Sequence, residues 1–70
     1  MSTINKLEQA LAGAKGLASQ FKTFSLDTDD QNAKQMFNQL SQNAEDMAQQ
    51  LEGRVEFVKN EEPQYRQEPQ

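Results

Sequence analysis

Apolar residues fall at Ile4, Leu7, Leu11, Ala14, Ala18 and Phe21, an alternation of three and four positions. That spacing returns side chains to one stripe of an α-helix, the seam along which two helices pack lengthwise. Leu17 and Phe24, with Ala10, widen the stripe on one side. The pattern predicts a first helix over about residues 3–25, with Ser2 and Thr3 as N-cap candidates whose hydroxyls accept from free backbone amides. A second stripe runs through Ala33, Phe37, Leu40, Ala44, Met47 and Leu51, and Val55 and Val58 continue it after a small phase shift. Met36, Ala48 and Phe57 flank it, with glutamine, asparagine, lysine and glutamate between, as on a solvated face. It predicts a second helix over about residues 29–60, roughly 45 Å long at 1.5 Å per residue.

Between the stripes, the segment from Ser25 to Asp30 is polar and acidic and has neither period, which places a turn at about residues 26–29. Thr28 followed by Gln31 fits a capping box, each side chain satisfying a backbone donor of the other. Asp29 and Asp30 add negative charge where the dipole of the second helix favours it, and Asp27 is a rival N-cap. The aspartates lack the spaced ligands and closing glutamate of a calcium loop, so capping is the reading preferred to metal.

A helix, a short turn and a second helix predict an all-α, antiparallel two-helix hairpin. The stripes mirror each other about the turn. Phe21 pairs with Phe37, Ala18 with Leu40, Ala14 with Ala44, Leu11 with Met47 and Leu7 with Leu51, and each pair of numbers totals 58. The expected core seam is therefore Leu7, Leu11, Phe21, Phe37, Leu40, Met47 and Leu51. Leu17, Phe24, Met36 and Phe57 are left beside it. Burying a large apolar side chain contributes roughly 1.5–3 kcal/mol, so these four form the expected association surface. Two hairpins packed face to face make a four-helix bundle, and a two-fold homodimer is the commonest way to build one. The alternative is a monomeric hairpin ordered against some other protein.

Three glycines and two prolines qualify this outline. Gly13 and Gly16 lie inside the first helix and each costs about 1 kcal/mol relative to alanine. They read equally as tolerated surface glycines or as a flat strip for another backbone. Gly53 is a point where the second helix could end, but Leu51, Val55 and Val58 keep to one face across it, which favours continuation. Pro63 cannot continue a helix, so the hairpin is expected over residues 1–62, with residues 63–70 a flexible polar tail. Tyr65 is the large apolar group of that tail.

Seventy residues make one small domain, and chains of this size usually need a staple or a partner. There is neither cysteine nor histidine, so disulfides and thiolate or imidazole metal sites are excluded and oligomerisation is favoured. A mean hydropathy of -0.98 lies near the disordered class, but a net charge of only -4 and the strong periodicity favour folded helices. An isoelectric point of about 4.6 argues against nucleic acid as a partner. No apolar run approaches a membrane span, and the N-terminus lacks the pattern of a signal peptide. The chain reads as soluble and cytoplasmic, without direct membrane insertion.

Candidate chemistry is sparse. Glu45, Asp46, Glu52 and Glu56 suggest a carboxylate-bridged di-iron bundle only until its Glu-x-x-His pairs are sought. Nucleophilic catalysis lacks a histidine base, and Gly13-Ala14-Lys15-Gly16 lacks the spacing of a phosphate loop. No catalytic, cofactor-binding or metal residue is assigned, and the chain does not read as an enzyme.

Phe24-Ser25-Leu26-Asp27-Thr28, Gln31-Asn32-Ala33-Lys34-Gln35-Met36-Phe37, Leu51-Glu52-Gly53-Arg54-Val55 and Glu61-Glu62-Pro63-Gln64-Tyr65 together carry a family likeness. The chain resembles a family of short domain-of-unknown-function proteins of endospore-forming bacteria, often encoded beside operons for spore germination and inner-membrane channel proteins. It departs from many members at Gly53, where they have proline or another non-glycine residue. The resemblance implies a setting in sporulation or spore resistance, with no catalytic residues to carry over, as a soluble companion of a spore inner-membrane protein. Three other readings are an exported helical hairpin, whose tryptophan-x-glycine turn is absent because the chain has no tryptophan, a spore DNA-binding protein, which the acidic balance opposes, and a bundle binding a small ligand or metal.

Overall fold

The computed structural model describes residues 2–61, which form two helices, α1 (Thr3–Asp27) and α2 (Gln31–Glu61), folded back to back. The expected tail, with Tyr65, and the helix-ending role of Pro63 lie outside the described residues. Ser2 caps α1, its hydroxyl accepting from the Asn5 amide at 3.3 Å. At the other end Thr28 takes extended backbone angles (φ -94°, ψ 145°) and donates its N–H to the Phe24 carbonyl at 3.1 Å. Three residues then suffice for the reversal, and none of the described residues has a positive φ.

The capping expectation needs correction. Thr28 closes α1 and does not cap α2; its hydroxyl accepts from the Asp30 amide at 3.4 Å. Asp30 opens α2: its Oδ2 accepts from the Ala33 amide at 3.2 Å, and its carbonyl accepts from Lys34 at 2.8 Å. Gln31 is then the first residue of α2, too early to reach back as the second half of a capping box. A carboxylate two residues beyond Thr28 is the stronger acceptor at a helix N-terminus, because its charge is favoured there. α2 passes through Gly53 without interruption.

The seam differs from the expected one by a rotation of one residue at two levels of α2. Ser41 and Ala48 are buried in it, where Leu40 and Met47 were expected. Met47 is 47% exposed, while Leu40 is half-buried at the edge. With Ala14 and Ala18 on α1 and Ala44 on α2, also buried, the middle of the hairpin closes on small side chains. Small residues let two helix backbones come close, and there the hydroxyl of Ser41 donates to the Ala18 carbonyl at 2.9 Å. That bond removes the cost of burying Ser41, which an apolar-only reading of the stripe overlooks. Towards the turn, the Phe37 ring stacks on Phe21, with centroids 6.2 Å apart, and meets the edge of Phe24 at 5.5 Å. Towards the open end, Ile4 and Val55 are buried. No side chain among the described residues is both large and fully buried. Leu7, Leu11, Phe21, Phe37 and Leu51 all stay half-wet.

Candidate functional site

The seam divides the hairpin into two long flanks of opposite chemistry. On one side α1 presents Glu8, Lys15 and Lys22, seven residues apart, and α2 presents Glu45, Glu52 and Lys59 at the same interval. Antiparallel packing sets them opposite one another. Lys15 Nζ lies 3.7 Å from Glu52 Oε2, and Lys59 Nζ lies 3.5 Å from Glu8 Oε2. Lys22 and Glu45 line the same shallow groove as the Lys15–Glu52 pair, about 470 Å³ in volume. These side chains are exposed, so each pair contributes at most about 1 kcal/mol. Their larger effect is on register: sliding one helix by a turn breaks every pairing.

The opposite flank is apolar. Leu17 and Phe24 of α1 and Met36, Met47 and Phe57 of α2 are 42–53% exposed there. The four residues expected as an association surface are thus all solvent-facing, and Met47 joins them. Leu26, the most exposed large apolar residue at 73%, sits apart from this flank near the turn. Towards the open end the flank holds a shallow groove of about 690 Å³ lined by Leu7, Met47, Gln50, Leu51, Arg54 and Phe57, with Gly53 at its margin. The Arg54 guanidinium carbon stands 4.9 Å from the centre of the Phe57 ring, a cation–π contact one turn apart on α2.

Among the described residues no three metal-ligating side chains converge, and no buried side-chain nitrogen or oxygen lacks a hydrogen-bond partner. Glu45, Asp46, Glu52 and Glu56 are all exposed; Glu52 pairs with Lys15, and Asp46 accepts from Gln42 at 3.3 Å. No described helix is long and apolar enough to cross a membrane. Charge pattern was the signal that could have revealed the two flanks: the seven-residue spacing of Glu8, Lys15 and Lys22 marks one edge of the seam as directly as the leucines mark its centre.

The molecule is therefore an antiparallel helical hairpin with one charged and one apolar long face. Over residues 7–55 the chain matches a family of proteins of unknown function, DUF1657, and it belongs to that family. The matched segment takes in both helices and the turn. No curated protein and no solved structure matches the chain.

Proposed function

We propose that this protein is non-catalytic and works through protein contacts, associating with itself across the apolar flank to form a four-helix bundle. The observation that carries this reading is the confinement of Leu17, Phe24, Met36, Met47 and Phe57 to one face, each 42–53% exposed. A lone hairpin leaves these side chains, and much of Phe21, Phe37 and Leu51, in water. A second layer of helices removes them, at roughly 25 cal/mol per Å² of apolar area. The setting comes from the resemblance to small proteins of endospore formers: a role in sporulation or spore resistance, as companion to a spore inner-membrane protein.

Charged substitution on the flank tests the contact surface. Leu17→Glu or Phe24→Glu is expected to yield a smaller species in light scattering with helical circular dichroism retained; an unchanged mass removes the flank from the interface. Affinity purification from sporulating cells tests the setting. A spore inner-membrane protein recovered with the native chain and lost with Phe24→Glu supports the companion role, and its recovery with neither overturns it.

A further inference from the structure

Resting on self-association through the apolar flank, the geometry points to one arrangement of the second copy: the two hairpins lie with their turns at opposite ends, α2 running antiparallel along the partner's α2, and the two-fold axis at the level of Asn43.

Shape supplies the first argument. Near the turn Phe24 and Met36 stand out, and near the open end Met47 and Phe57, equally exposed, border the shallow groove of about 690 Å³. Phe24 and Leu7 are roughly 25 Å apart along α1 at 1.5 Å per residue. With turns at opposite ends, Phe24 and Met36 of each copy meet the groove of the other. With turns together, Phe24 and Met36 meet their own counterparts, and groove faces groove.

Position along α2 makes this match specific. Met36, Asn43 and Gln50 recur at seven-residue intervals on the flank side of α2, and Gln50 lines the groove. A two-fold axis at Asn43 brings Met36 to the partner's Gln50 and so into the partner's groove, while Asn43 meets the partner's Asn43. Methionine, unbranched and polarisable, suits an irregular apolar groove.

Charge selects the same arrangement. Beside the flank, the turn end carries Asp27, with Asp29 and Asp30 in the turn and Lys34 just after it, a net negative set, and the open end carries Lys6 and Arg54 with Glu61 at the tip, a net positive one. Opposed turns place acids against bases at both ends of the interface. Turns together collect the aspartates of both copies at one end and the cations of both at the other, and such like-charge juxtaposition discriminates against an assembly. Glu61 falls two turns beyond Arg54 on α2, past the partner's turn. One long face of a body 51 × 18 × 15 Å offers on the order of 800 Å², about what each partner contributes to a stable complex.

The chain has no cysteine, so single thiols report proximity without background. Under mild oxidation, Asn43→Cys is expected to form a covalent dimer. Met36→Cys and Gln50→Cys are each expected to stay largely uncrosslinked alone and to give a mixed covalent dimer when combined, resolved by a mass tag on one chain. A native chain that is dimeric by light scattering, with no crosslink from Asn43→Cys and none from the mixture, overturns this arrangement and leaves self-association standing. A native chain monomeric at every concentration overturns both.

Discussion

The hydroxyl of Ser41 donates to the carbonyl oxygen of Ala18 across the seam at 2.9 Å, the described side-chain hydrogen bond that joins the two helices. It lies where the backbones pass over small residues, Ala14, Ala18, Ala44 and Ala48, all buried. A leucine in place of Ser41 must push the helices apart. Ser41→Leu is expected to destabilise the fold by about 1–3 kcal/mol through overpacking, although it lengthens the apolar stripe. Ser41→Ala, which loses only the hydrogen bond, is expected to cost about 0.5–1.5 kcal/mol. Urea denaturation of the two variants checks the order; equal stability of Ser41→Leu and the native chain would place Ser41 outside the seam.

Phe37 stands between Phe21 and Phe24 at the turn end. Because it is half-buried, Phe37→Ala is expected to cost about 2–3 kcal/mol, below the roughly 3–5 kcal/mol of a fully enclosed phenylalanine. Thermal denaturation measures it, and an unchanged midpoint would remove Phe37 from the core.

Asp30, and not Thr28, carries the N-cap of α2. Asp30→Ala is expected to destabilise by about 1 kcal/mol. Thr28→Ala, which gives up a 3.4 Å contact within the turn, is expected to cost less. A larger loss at Thr28 in denaturant titrations would restore the threonine as the cap.

A Cβ placed on Gly16 or Gly53 meets nothing within 4 Å, and both sit in helical backbone. Gly16→Ala and Gly53→Ala are each expected to stabilise by about 0.5–1 kcal/mol, since alanine has less chain entropy to lose. A rise in melting temperature for each checks this. A fall at Gly53 would mean that the glycine serves an approaching surface.

The hairpin itself was legible in the apolar spacing, because Phe21 and Phe37 fall at mirrored positions about the turn and do stack. Detail was lost where size and polarity compete. Leu40 and Met47 are greasier than Ser41 and Ala48, so a stripe read by hydrophobicity chooses the former pair. Packing chooses the latter, because close helix approach needs small side chains and the Ala18 carbonyl receives the serine hydroxyl. The cap differs for a related reason: the pattern of Thr28 and Gln31 suits a capping box, but Thr28 is already occupied in ending α1. Leu17, Phe24, Met36 and Phe57 were recognisable as residues without cover, since nothing in the mirrored pairing accounts for them.

The central claim, that the apolar flank is covered by a second copy, is tested most directly by the mass of the native chain in solution. Sedimentation equilibrium across a range of concentrations is predicted to give twice the 8.0 kDa of one chain. A mass of 8.0 kDa throughout that range, with full helical signal, would contradict it.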